Sequence, residues 1–240
     1  MHKNNGSEKD RINKIYNSYL QNKKITEKWS NKNNGNRIIS DQRRSLTIKL
    51  LDEKKINLDE IKILDLGCAS GNLISLLTSL GAKSKNIYGI DIRSSSIKNA
   101  KKRYPQIKFD LMDARELKYD RNTFDCIFIF TLLSSVLDQV NRKKIIDDAI
   151  RVLKPSGFII YYDLKYNNPF NKNVIGIKQK ELGNLFPGMK IKYKKLTLIP
   201  LIARRLGKAT NYLYPLLSKI SFLNSHYICL IEKNSINDFS

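Results

Sequence analysis

Between residues 61 and 163, five short β-rich runs alternate with stretches of helical spacing, and that rhythm constrains the fold more than any other feature of the chain. The runs are 61–66 (IKILDL), 87–92 (IYGIDI), 107–112 (IKFDLM), 125–130 (DCIFIF) and 157–163 (GFIIYYD). Leu73, Leu76, Leu77 and Leu80 recur at helical intervals in the first gap, and Ile97 and Ala100 in the second. Ile145, Ile146, Ala149, Ile150 and Leu153 do so in the last. Strands that alternate with helices pair in parallel, so the expectation is an α/β domain whose sheet is covered on both faces. Residues 126–130 and 158–161 are apolar nearly without interruption, as central strands buried on both sides must be.

The flanks follow other patterns. Residues 1–10 are a loose polar tail containing His2. Ile12, Ile15, Tyr16, Tyr19 and Leu20 mark an amphipathic helix. An Asn/Gly-rich loop is expected at 31–36, then a helix from Ser40 or Asp41 to about Lys55. Residues 1–56 are thus a tail and helical cap, and 57–240 the main domain. Beyond 163 the sequence predicts a loop (164–176), a helix (178–186), a strand (190–199), a helical insertion (200–223) and a last strand (226–232). Pro215 is placed to open a short helix inside the insertion.

The formal net charge is 44 − 22 = +22, carried by far more lysine than arginine. A lysine-, asparagine- and isoleucine-rich mix is itself a compositional bias, so distribution says more than the total. Residues 165–220 hold twelve Lys/Arg against one acid, Glu181. Such a block attracts phosphate, RNA or an anionic membrane surface. No apolar run approaches the roughly 18 residues of a membrane span. The N-terminus has no apolar signal segment. Three cysteines without paired spacing argue against a disulfide framework or a zinc site. A cytoplasmic protein is expected, with contact at the inner membrane surface as an option.

The chemistry concentrates where the first β-run turns into a helix, in Asp65-Leu66-Gly67-Cys68-Ala69-Ser70-Gly71. Glycines there admit a close backbone approach, and the helix start offers unpaired N–H groups. A nicotinamide site wants G-x-G-x-x-G. Here the spacing is G-x-x-x-G with an acid two residues earlier. That acid repels a pyrophosphate but suits the α-ammonium of S-adenosylmethionine (SAM). The segment resembles the first motif of class I SAM-dependent methyltransferases, departing from it in Ala69 at the middle glycine. The resemblance extends over about residues 40–163. It implies a Rossmann-like, mostly parallel seven-stranded sheet with an antiparallel last strand, helices on both faces and an N-terminal helical cap. It also implies SAM as cofactor, S-adenosylhomocysteine as product and no metal. It places Asp65, Gly67, Cys68, Ala69, Gly71, Asp91, Ile92, Asp113, Ala114, Phe130 and Thr131 around the cofactor. Asp91 is to accept the ribose hydroxyls, and Asp113-Ala114 to meet the adenine edge.

Methyl transfer from a sulfonium is an in-line displacement in which positioning supplies much of the acceleration. A base is needed only for a hydroxyl or a protonated amine. His226, at the start of the last strand, is the candidate base; Asp163, at the end of the fifth, is the second catalytic candidate, to orient the acceptor or a histidine, with a loop cap as the alternative. Arg37, Tyr162, Asn167, Arg204 and Arg205 are candidates for holding the acceptor. Asn167-Asn168-Pro169-Phe170 differs in place and sequence from the motif of base amino-methylases, and Cys68 and Cys126 are poorly placed for C5-methylation. The expected activity is therefore O-methylation of a small molecule or a glycan- or lipid-linked acceptor. The alternatives are an RNA methyltransferase using the 165–220 surface and a non-catalytic SAM-binding protein.

Overall fold

The computed structural model describes residues 8–23, 27 and 30–233. The polar tail falls outside the described residues as far as residue 7. From Glu8 the chain is already helical: α1 (Glu8–Gln21) opens with a Glu8–Arg11 ion pair at 2.6 Å. Helix α2 (Asn34–Glu53) begins six residues before the expected serine. Its cap is Asn33, whose Oδ1 accepts the Gly35 and Asn36 N–H groups at 2.9 and 3.3 Å. An Asn/Gly run that looks like a loop thus supplies a cap and a first turn.

The alternating region then runs in order: β1 (Ile63–Leu66), α3 (Ile74–Ser79), β2 (Ile87–Asp91), α4 (Ser94–Arg103), β3 (Lys108–Leu111), β4 (Phe124–Phe130), α5 (Gln139–Val152) and β5 (Leu153–Leu164). Helix α6 (Gln179–Leu185), β6 (Met189–Leu198), α7 (Pro200–Arg205), α8 (Thr210–Leu217) and β7 (Asn224–Lys233) follow. Pro215 lies within α8 rather than opening it. There it has no N–H to give the Asn211 carbonyl, so the short helix does without one of its few internal hydrogen bonds.

The sheet has the order β3-β2-β1-β4-β5-β7-β6. Strands β1 to β5 pair in parallel. Strand β7 runs against β6: Ser225 donates to the Thr197 carbonyl, while the Ile199 N–H donates to that of Leu223, so one number rises as the other falls. The resulting mixed, Rossmann-like sheet with antiparallel last strands is the one expected. Register brings Leu66 level with Ile90 and with Ile129, and Phe130 level with Tyr162. The carboxyl ends of the parallel strands therefore finish along one edge, where ligands of open α/β sheets bind.

The described residues divide into two compact units, those within 47–194 and 227–233 and those within 8–46 and 195–226. The larger has a continuous core of sheet residues such as Leu64, Ile127, Phe124 and Ile159 packed against Ile145, Ile146 and Ala149 of α5 and Leu182 of α6. The smaller has its own core of Leu198, Ala203 and Tyr214 with Ile38, Ile39, Ile202 and Leu217 around it. Helices α2 and α7 approach so closely there that a Cβ on Gly35 would stand 2.2 Å from the Ala203 carbonyl oxygen.

Candidate cofactor site at the carboxyl edge of the sheet

The turn from β1 to α3 is built on alternating left-handed residues: Gly67 (φ +82°), Ala69 (φ +48°) and Gly71 (φ +76°). The loop is tied down at every step. The Gly67 and Cys68 N–H groups donate to the Ile90 carbonyl at 2.9 and 2.8 Å. The Ala69 N–H donates to Asp91 Oδ2 at 3.0 Å, and the Gly71 N–H to the Cys68 carbonyl at 2.9 Å. Leu132 packs over Gly67 and Tyr104 over Gly71, each 3.1 Å from where a Cβ would be. Alanine at 69 keeps the conformation that the resemblance assigns to glycine, at a backbone cost of about 1–2 kcal/mol.

Beneath the loop lie Asp65 and Asp91, 4% and 7% exposed. Cys68 faces both. Burial, then the negative charges of Asp65 and Asp91, push its thiol far above the ordinary range, so it stays protonated. Gly89 leaves room for it; a side chain there would meet the Cys68 sulfur at 3.0 Å and Phe109 at 2.7 Å.

Sequence inspection missed a feature that recurs. Asp91, the last residue of β2, and Asp113, two residues past β3, are each gripped by the arginine two residues on. Asp91 Oδ1 accepts from the Arg93 N–H (2.8 Å) and Nε (3.1 Å), and Oδ2 from Nη2 (3.3 Å). Asp113 accepts from the Arg115 N–H (2.9 Å), from Nε (3.0 and 3.1 Å) and from Nη2 (2.7 Å). The signal was visible as Asp91-Ile92-Arg93 and Asp113-Ala114-Arg115. With Ala69 included, Asp91 carries four hydrogen bonds, about the full acceptor capacity of a carboxylate.

Strand β4 ends in Phe130, edge-to-face with Tyr162 at 5.7 Å. Thr131 follows in the left-handed region (φ +51°), its N–H on the Tyr162 carbonyl at 2.7 Å. Asp163 is fully buried, and its oxygens accept the Ser134 and Leu164 N–H groups at 3.0 and 2.8 Å. Burial is the largest influence on its carboxyl and raises it to about 6 despite those bonds. In this position it anchors the turn after β4. Asn167 closes the following loop, its Oδ1 accepting the Gly176 N–H at 2.9 Å. A Cβ on Gly176 would fall 2.3 Å from Tyr166 backbone.

The larger unit therefore gathers Asp65, Gly67, Cys68, Ala69, Gly71, Asp91, Ile92, Asp113, Ala114, Phe130, Thr131, Tyr162 and Asp163 on one sheet edge. Arg37, Arg204, Arg205 and His226 belong to the smaller unit. Arg37 and Arg205 are exposed. Arg204 instead donates from Nε to Asn36 Oδ1 at 2.8 Å, linking α7 to α2. His226 is 7% exposed, with Nδ1 2.8 Å from Ser225 Oγ. Ser225 spends its only proton on the Thr197 carbonyl at 3.0 Å. The same hydroxyl thus ties the ring to the neighbouring β6 backbone and holds its orientation. Among the described residues, no group of three or more His, Cys, Asp and Glu is arranged to hold a metal, and the three cysteines are free and buried.

A parallel sheet extended by antiparallel last strands, with a left-handed glycine loop after β1 and acids at the ends of β1 and β2, defines the class I SAM-dependent methyltransferase fold. The methyltransferase domain family matches residues 57–199, and the chain belongs to that family. The ubiquinone/menaquinone biosynthesis C-methyltransferase of Campylobacter jejuni is 27% identical over 105 residues, 42% of this chain and 43% of the relative. The phthiotriol/phenolphthiotriol dimycocerosates methyltransferase of Mycobacterium leprae is 28% identical over 116 residues, 48% of this chain and 42% of the relative. The chain thus spans less than half the length of these curated relatives. A solved SAM-dependent methyltransferase of Methanosarcina mazei shares the fold, with TM-score 0.57 and 20% identity over 76% of this chain and 96% of its own.

Proposed function

We propose that the protein transfers the methyl group of SAM to a small organic acceptor. The observation that carries this is the alternating left-handed loop, Gly67-Ala69-Gly71, closed over two buried acids at the carboxyl edge of the sheet. Its positive-φ residues bring bare backbone to that edge, as close approach of a ligand requires. In this reading Asp65 holds the cationic amino-acid group, Asp91 takes the ribose hydroxyls and Asp113-Ala114 meets the adenine edge. Bound SAM supplies an electrophilic methyl on a good leaving group. The chain's task is to orient it and to exclude water.

For hydroxyls to donate to Asp91, the Arg93 side chain must yield part of its hold, because the carboxylate's acceptor positions are taken. The backbone bonds from Ala69 and Arg93 then keep the carboxylate in place. His226 is the base in this proposal, taking the proton of an acidic hydroxyl. An enol or phenol so ionised is nucleophilic at oxygen and at the conjugated carbon. The same base therefore serves the oxygen acceptor expected from the sequence and the carbon acceptor in the C. jejuni relative's name. Asp163 acts as a positioning residue beneath the turn after β4.

The test uses methyl-labelled SAM, the full chain and an extract split into RNA, protein, lipid and small-molecule fractions. Label in a small-molecule or lipid fraction is expected, and carbon NMR of the purified product then gives the acceptor atom. Label confined to a nuclease-sensitive fraction sinks the proposal, as does absence of SAM binding by calorimetry.

A further inference from the structure

Helix α8 has apolar residues on two faces, and only one of them is covered. Thr210, Tyr214 and Leu217 turn inward, where Tyr214 joins the core of the smaller unit. On the opposite arc stand Tyr212 (78% exposed), Pro215 and Leu216 (59%), with Leu213 (41%) at its border. Ile220 and Phe222 (69%) extend the exposed set through the turn that follows. Five of the nine large exposed hydrophobics among the described residues thus fall within eleven consecutive positions. Folded chains seldom leave such a group in water without a partner.

The charge around this patch has one sign. No Asp or Glu occurs from residue 182 to 231. Arg205, Lys208 and Lys219, next to the patch in sequence, are exposed. Lys195 is exposed as well and reaches the turn through Ser221 Oγ at 2.7 Å. An apolar arc flanked by cations, on a short helix lying across its own small core, is the pattern of an interfacial helix. An RNA partner matches less well. Tyr212 and Phe222 have π-faces, but Leu213, Leu216 and Ile220 between them have none on which to stack a base and nothing to offer a phosphate.

From this juxtaposition we propose that α8 and the turn to Phe222 dock on an anionic lipid bilayer. Tyr212, Leu216 and Phe222 enter the headgroup region, and Arg205, Lys208 and Lys219 meet the lipid phosphates. The proposal invokes no cofactor, so its test needs no SAM.

The experiment measures sedimentation of the full chain with phosphatidylcholine vesicles, with and without phosphatidylglycerol. Binding is expected only with the anionic lipid, weakening about fivefold for each of Lys208→Gln and Lys219→Gln. Leu216→Ser with Phe222→Ser should abolish it while leaving the thermal melt unchanged, because both side chains are exposed. A Phe222→Cys variant adds depth information, since the native thiols are buried and leave the new one as the labelling site. An environment-sensitive fluorophore there should shift to the blue on anionic vesicles. Absence of binding by the folded chain overturns the proposal, as does binding that survives the double serine change. RNA binding lost in that same double variant overturns it too, because the patch would then have another occupant.

Discussion

At the residue scale, strain and saturation set the behaviour of the site. Ala69 occupies a left-handed conformation at a cost of about 1–2 kcal/mol. Glycine removes that cost but enlarges the unfolded ensemble by about 0.4–1 kcal/mol. Ala69→Gly should therefore raise stability by a net 0.5–1 kcal/mol or so, measured as a urea midpoint; a decrease would mean that the methyl group packs usefully. Asp91→Ala should weaken SAM binding by roughly 1.5–3 kcal/mol through loss of charged hydrogen bonds. Arg93→Ala should do the opposite and tighten SAM several-fold, because it frees acceptor positions on Asp91. Calorimetry decides both, and weaker binding in the arginine variant would make Arg93 part of the cradle. Asp163 predicts a pH dependence. Its folded carboxyl titrates at about 6, above its unfolded value, so the native state keeps this proton to higher pH. The group then lowers stability as pH rises from about 4 to 6, by about 3 kcal/mol, and changes nothing beyond that window. Asp163→Asn should remove that slope from a series of urea melts, and an identical slope in both proteins would refute the assignment.

At the scale of elements, the alternating strands and their helices were legible because two periodicities, two and 3.6, were each carried by apolar residues. The polar ends were not. Asn33, a side-chain cap, starts α2 in a segment that composition marks as loop, and Pro215 sits inside α8. The loop after β1 was legible from Gly67 and Gly71, whose spacing answers to a backbone need. The grip of Arg93 and Arg115 on their aspartates was not, because it depends on where side chains fold back rather than on any periodicity. Arg142 was missed for the same reason. It is 1% exposed on α5, and its guanidinium serves the Val136 and Leu137 carbonyls at 2.7 and 2.9 Å and pairs with Glu181 of α6. Arg142→Ala should cost about 3–5 kcal/mol by stranding those partners. A chemical-denaturation loss under 1 kcal/mol would mean that water replaces the guanidinium.

For the whole molecule, the charge of +22 is spread over a chain whose acids are nearly all confined to the first 181 residues. Like charges at this density repel across distances comparable with the Debye length of about 8 Å at physiological salt. The strand order has a consequence in time. Strand β7 is the last of the seven in the chain, yet it lies between β5 and β6. Until it emerges from the ribosome, β6 has no neighbour to pair with, and β5 presents an open hydrogen-bonding edge. The sheet can therefore mature only after synthesis of its last strand, and a nascent chain stalled before residue 224 would expose a template for pairing with other chains.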